Sequence, residues 1–192
     1  MAGIYIHVPF CKTRCIYCDF YSTTRSERKG HYIEALCKEL EMRYTYLKGE
    51  PIETLYFGGG TPSQLDEEDF RKVFDTVRRV YGMENCHEIT LEANPDDLCP
   101  EYVQMLSRLP FNRISMGIQT FDDATLTLLK RRHNATQAIR AVELCRTYGF
   151  RNISIDLIYG LPGETAERWE KDLQQAVALN VEHVSAYPLI YE

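Results

Sequence analysis

The sequence predicts an α/β protein on an open parallel sheet, a (β/α)6 partial barrel of the TIM type, and three observations carry this reading. Apolar strand-like runs alternate six times with helix-like segments. Single helices between strands make right-handed crossovers, and therefore a parallel sheet buried on both faces. Six units in 192 residues average about 32 residues each, close to the roughly 30 of one βαβ unit. Eight units would close a barrel of about 250 residues, so six leave it open. A doubly wound sheet is the alternative arrangement.

The first strand runs from Ile4 to Pro9, and the first helix carries Ile33, Leu36, Leu40, Tyr44 and Leu47 on one stripe. Thr54 to Phe57 is a short buried strand, followed by a helix with Phe70, Val73, Phe74, Val77 and Val80 on its apolar face and Gly82 closing it. Ile89 to Ala93, Ile114 to Ile118 and Ile153 to Ile158 repeat the strand pattern. Helices are expected near 100–109, over 123–148 with a break at His133 to Ala135, and over 165–179. The sixth strand spans Val184 to Ile190 with no helix after it, so the chain reads as the front part of something longer. Residues 1–192 read as a single domain, since no repeat, low-complexity tract or Pro/Ser-rich linker marks a second.

The composition is that of an ordinary globular protein: 44% hydrophobic, 26% charged, and a net charge of −6 from 22 basic and 28 acidic side chains. The basic residues are scattered, which argues against a nucleic-acid-binding face. No run approaches the ~18 apolar residues of a membrane span, and the N-terminus shows neither a secretory signal nor an Arg-rich transit peptide, so a cytoplasmic protein is expected. Of seven cysteines, Cys11, Cys15 and Cys18 crowd together, while Cys37, Cys86, Cys99 and Cys145 lie apart beside apolar patterns and read as small hydrophobes. In a reducing compartment such a crowd points to metal or redox chemistry.

Cys11-x-x-x-Cys15-x-x-Cys18 falls in the loop directly after strand one, among Phe10, Tyr17, Phe20 and Tyr21. A structural zinc site wants four ligands, and no second C-x-x-C is present. An iron–sulfur cube held by three cysteines keeps one iron open to a small molecule and fits best; zinc and plain packing are the alternatives. Gly58, Gly59 and Gly60 end strand two and suggest close approach of backbone to a ligand, or else a tight turn. Neither a dinucleotide fingerprint nor a phosphate loop is present. Glu92, Gln119, Asp156 and the Ser185 to Pro188 segment fall at later strand ends, where parallel α/β folds bind ligands. Lys130-Arg131-Arg132-His133 reads as a solvated basic patch, with contact to a carboxylate as the alternative. His7 reads as a satisfied core histidine and Trp169 as packing.

At these residues the sequence resembles the radical S-adenosylmethionine (SAM) superfamily, and more narrowly the oxygen-independent coproporphyrinogen III oxidase-like family with its heme-chaperone branch. The cysteine spacing carries the superfamily, and IHVPFC, FGGGTPS, LEANP, ISMGIQTF and DLIYGLP in that order carry the family, over essentially the whole chain. The resemblance implies an open (β/α)6 core with a C-terminal extension that lies beyond this chain. It implies a [4Fe-4S] cluster on Cys11, Cys15 and Cys18, with the SAM amino and carboxylate groups on the open iron. Tyr5 and Tyr17 would flank the cofactor, the backbone of Gly59, Gly60 and Thr61 would receive its amino group, and Glu92 would bind the ribose hydroxyls. Gln119, Arg131 and Asp156 match positions that contact SAM, and Ala186 matches a backbone contact near the adenine. A reduced cluster would cleave SAM to a 5′-deoxyadenosyl radical. Expected partners are SAM, a tetrapyrrole, an electron-donor protein and a heme-acceptor protein.

Three functional classes follow: a heme-binding and transfer protein, an enzyme decarboxylating coproporphyrinogen III, and a zinc-stabilised interaction module. In the family the decarboxylating oxidases carry a fourth cysteine two residues after the third and a long N-terminal extension. Here that position is Phe20 and Tyr5 lies near the start, which favours the heme-chaperone branch.

Overall fold

A computed structural model describes residues 2–190. Six strands, β1 (Ala2–Val8), β2 (Ile52–Gly59), β3 (Glu88–Ala93), β4 (Arg113–Gln119), β5 (Asn152–Tyr159) and β6 (His183–Pro188), form one sheet in the order β1-β2-β3-β4-β5-β6. Every neighbouring pair is parallel. Strictly sequential order excludes the doubly wound alternative, whose order reverses at a switch point. Strand ends from β2 to β6 line a common cavity, so the sheet is curved into an open partial barrel.

The helices are α1 (Lys29–Met42), α2 (Glu67–Tyr81), α3 (Pro100–Leu106), α4 (Asp123–Leu128), α5 (Ala135–Thr147) and α6 (Ala166–Ala178). Asp66 caps α2 with a reciprocal box to Asp69, and Asn134 does the same for α5 with Gln137. The break expected at His133 to Ala135 is longer and starts earlier, running from Leu129 to Asn134 and separating two helices. α1 is shorter than its apolar stripe: Tyr44 is exposed, Leu47 packs on the core from a turn, and Lys48 and Gly49 reverse the chain at positive φ. β6 ends two residues earlier than expected, with Leu189 bonding the Tyr159 carbonyl from outside the strand.

The core lies between the outer sheet face and the helices, with Val8, Leu55, Phe57, Leu91, Ile114, Met116, Ile118, Ile153, Ile155 and Leu157 fully buried. Phe57, Phe70, Phe74 and Phe111 interlock there, largely edge to face, at centroid distances of 5.0 to 5.7 Å. Both faces are covered, as expected, but the inner one is polar: the alternating residues Tyr56, Thr90, Glu92, Arg113, Ser115, Ser154, Asp156 and Ser185 lie buried or half-buried there. A polar inner face costs little because much of it opens on a cavity. Trp169 is half-buried against the core and its ring meets Tyr159. Among the described residues no helix is long and apolar enough to cross a membrane.

Candidate cluster and cofactor site

The loop after β1 is folded back on its own stem. Thr23 N–H bonds the Pro9 carbonyl at 2.7 Å, Cys11 N–H bonds the Thr23 carbonyl at 2.9 Å, and His7 Nε2 bonds the Tyr21 carbonyl at 2.8 Å. The Tyr32 hydroxyl from α1 donates to the His7 carbonyl. His7 is satisfied by hydrogen bonds, but the core position expected of it is corrected: it stands half-buried on the inner face of β1 between Tyr5 and Tyr21. This pinned stem presents Cys11, Cys15 and Cys18 to one wall of a cavity of about 840 Å³ over the strand ends.

Two of the three thiols are addressed by side chains from distant elements. Thr61 Oγ1 donates to Cys11 Sγ at 3.3 Å, and Arg131 Nη1 donates to Cys15 Sγ at 3.5 Å and approaches the Tyr17 hydroxyl at 3.4 Å. Asn94 joins the two donors, accepting from Arg131 Nη2 at 2.7 Å and donating to Thr61 Oγ1 at 3.4 Å. Burial, and then the neighbouring Cys18 and Cys15, pushes the Cys11 thiol up despite the Thr61 bond. Burial opposes the Arg131 charge, but Tyr17 and Cys15 outweigh it and its pKa is raised.

Opposite the loop sit two half-buried carboxylates. Glu92 accepts from the Tyr56 hydroxyl at 2.7 Å and from Gly59 N–H at 3.1 Å. Burial raises its pKa in spite of those bonds, and Asp156 adds to the rise. Asp156 is raised by burial too, countered by Ser185 and Arg113. Gln119 lies at positive φ, 74°, where β4 slips register against β5, and this bend turns its amide over Gly117 into the cavity.

Of the residues singled out from sequence, Cys11, Cys15, Cys18, Tyr17, Gly59, Gly60, Thr61, Glu92, Gln119, Arg131 and Asp156 all line this cavity. Tyr5 and Ala186 do not. Tyr5 stands half-exposed beside it, its ring stacked on Tyr56 at 5.9 Å. Ala186 turns to the other face of β6, while its neighbours Ser185 and Tyr187 point inward. The backbone contact expected of Ala186 does not depend on that side chain.

The glycines also have a reason within the fold. A Cβ on Gly59 would sit 2.6 Å from the His7 ring and one on Gly60 2.8 Å from the Val8 carbonyl oxygen, so protein neighbours alone already demand glycine there. The solvated basic patch is corrected. Lys130 is exposed, but Arg131 faces the cavity, Arg132 pairs with Asp96 and Asp97 at 2.7 and 3.1 Å, and His133 is buried. Of the four scattered cysteines, Cys99 is exposed beside α3 rather than packed; Cys37 and Cys86 are half-buried, and Cys145 is buried with its thiol pushed up to about 12. Tyr56, Asn94, Arg113 and Ser115 line the cavity without having been singled out as site residues, and Tyr187 lines it from the Ser185 to Pro188 segment that had been. Polar residues recurring at every second position of otherwise apolar strands were the available signal.

The donor set fits an iron–sulfur cube. Three thiols from one loop line a single cavity, and a cube asks for thiolates spaced around it, each on its own iron. The buried Gln119 Oε1 and Arg131 Nε have no hydrogen-bond partner among the described residues, which gives the cavity an unmet acceptor and an unmet donor.

An open six-stranded partial barrel with a three-cysteine loop after its first strand defines a class, and the family described as the Radical SAM superfamily matches residues 5–176. The chain belongs to that superfamily, and membership implies SAM and a [4Fe-4S] cluster. Its relatives include the heme chaperone HemW of Bacillus subtilis, 41% identical over 100% of this chain and 51% of that protein. The heme chaperone HemW of Escherichia coli is 37% identical over 99% of this chain and 51% of that one. Among solved structures, coproporphyrinogen III oxidase (HemN) from Escherichia coli superimposes with a TM-score of 0.89 at 28% identity, over 98% of this chain and 44% of that one. The chain spans about half the length of these relatives.

Proposed function

We infer that this chain is the cofactor-binding core of a heme-trafficking protein, with Cys11, Cys15 and Cys18 on a [4Fe-4S] cluster and SAM lying across the strand ends. The observation that carries it is the three-cysteine wall, with Thr61 and Arg131 donating to two of its sulfurs from other elements. When bound, the cluster and SAM supply one-electron reductive chemistry.

The chain's own residues supply the rest. Glu92, fixed by Tyr56 and Gly59, is placed to accept from ribose hydroxyls, and Gln119 offers an unsatisfied amide oxygen. Carbonyls of the Gly59 to Thr61 turn can receive an ammonium, while Arg131 offers positive charge to a carboxylate. Tyr17 packs against Leu129, Ile158 and Leu161 and closes one side of the cavity against water. Tyr5 and Ala186 are assigned to the cofactor's periphery.

Heme as cargo is favoured by the names of the curated relatives and by Phe20, 61% exposed on the cavity rim where the decarboxylating enzymes carry a cysteine. An electron-donor protein and a heme acceptor complete the set of partners, in a reducing cytoplasm where the thiols persist. Anaerobic reconstitution of the full-length protein followed by heme titration and product analysis tests this reading. Stoichiometric heme with an intact tetrapyrrole is expected. Decarboxylated coproporphyrinogen together with 5′-deoxyadenosine would make it an oxidase, and stoichiometric zinc without iron would overturn the cluster.

A further inference from the structure

Below the cavity lies a buried carboxylate that the functional reading leaves unused. Asp97, with only 2% of its side chain exposed, ends the short 3-10 turn Pro95–Asp97 after β3. It accepts from four side chains: Lys12 Nζ at 2.8 Å, Arg132 Nη2 at 3.1 Å, Ser63 Oγ at 2.8 Å and Gln64 Nε2 at 2.7 Å. A buried carboxylate is costly unless its lone pairs are filled, and here they are filled by three separate segments.

Each segment leads directly to the cysteines. Lys12 follows Cys11. Ser63 lies two residues past Thr61, the donor to Cys11, and its hydroxyl also accepts from Asn94 N–H at 3.3 Å. Arg132 follows Arg131, the donor to Cys15. Asp96, beside Asp97, holds the other nitrogen of Arg132 at 2.7 Å, so that guanidinium is gripped by two carboxylates. The cysteine loop, the turn after β2 and the α4–α5 connection thus meet at one carboxylate just outside the thiols.

We propose that Asp97 is a positioning residue for the cluster site, acting through Lys12 to hold the Cys11 end of the loop in register with Cys15. The inference rests on the assignment of the three cysteines as cluster ligands. Lys12 is the arm to cut: its side chain is 54% exposed, so removing it leaves the core packing alone, whereas Asp97 is shared by every arm.

The test uses the full chain, reconstituted without oxygen, as wild type, Lys12→Met, Lys12→Arg and Asp97→Asn. Iron loss to a chelator, the electron paramagnetic resonance line shape of the reduced cluster, and the melting temperature are measured on each. Lys12→Met should lose iron roughly tenfold faster with an altered line shape, the size expected of an outer-shell partner, and by more than its fall in melting temperature accounts for. Lys12→Arg should restore retention, and Asp97→Asn should reproduce or exceed the defect. Wild-type rates and line shape in Lys12→Met would overturn the proposal while the cluster reading stands. Iron loss that merely tracks melting temperature across the variants would also overturn it, in favour of a fold-wide role. A wild type that takes up no iron would overturn both at once.

Discussion

Replacing His133 with glutamine should flatten the acid side of the stability profile. His133 is 4% exposed; its Nε2–H donates to the Ile118 carbonyl at 3.1 Å, and its Nδ1 has no partner among the described residues. Burial, reinforced by the adjacent Arg131 charge, holds its pKa at about 4 against an ordinary 6.5. Between those values the unfolded chain binds the proton and the folded chain does not, so stability is complete above pH 6.5 and falls as the pH drops toward 4. At roughly 1.4 kcal/mol per pH unit the loss reaches about 2 kcal/mol at pH 5 and about 3 kcal/mol near pH 4. Glutamine can keep a donor on Ile118 and does not titrate. Glu92, Asp96 and Asp156, whose raised pKa values act in the opposite direction, are common to both proteins and cancel in the comparison. Urea unfolding at pH 5 and pH 7.5 gives the test: the stability gap between wild type and variant should move by about 2 kcal/mol in the variant's favour on acidification. Parallel pH profiles would refute the claim that this imidazole is held neutral by its surroundings.

Cys15→Ala should abolish cluster assembly, and full iron content in that variant would show that the ligand assignment is wrong. Glu92→Gln should weaken SAM binding roughly tenfold or more by calorimetry, since a charge-assisted hydrogen bond contributes about 1.5–3 kcal/mol; unchanged affinity would remove Glu92 from the cofactor site. Gly59→Ala should destabilise the fold by about 2–4 kcal/mol in denaturant titrations, because φ is +107° and the new Cβ would lie 2.6 Å from the His7 ring. A near-neutral result would mean that the β1–β2 junction yields more easily than its geometry implies.

The architecture was readable because its pattern is repetitive. Alternating apolar strands and helices with single-helix connections leave few topologies, and the sheet follows in sequential order. The cysteine loop was readable because its spacing is local. What could not be read depends on residues far apart in the chain. Arg131 reads from its neighbours as part of a basic patch and from the resemblance as a SAM contact, but its partners Cys15 and Asn94 lie 116 and 37 positions away and leave no local sign. Asn94 was visible at a strand end, but its linking of Thr61 to Arg131 exists only once three loops converge. The Gln119 bend is likewise invisible in sequence, since a non-glycine residue at positive φ leaves no local mark. Tyr5 shows the converse limit: a position matched to a family can place a residue near a site without making it part of the wall.

The connection between α4 and α5 has a consequence for how this protein can change length. Lys130 takes a φ of 58°, and the three residues after it leave in three directions: Arg131 to the thiols, Arg132 to Asp96 and Asp97, and His133 to the end of β4. One residue inserted or deleted there would mis-aim all three together, with no compensating adjustment available from either helix. The stretch from Arg43 to Pro51, between α1 and β2, is exposed except at Leu47 and aims no side chain at the cavity. Natural variation in loop length should therefore accumulate at the second connection and be nearly absent from the first, and insertion tags or split points belong in the former region, not the latter.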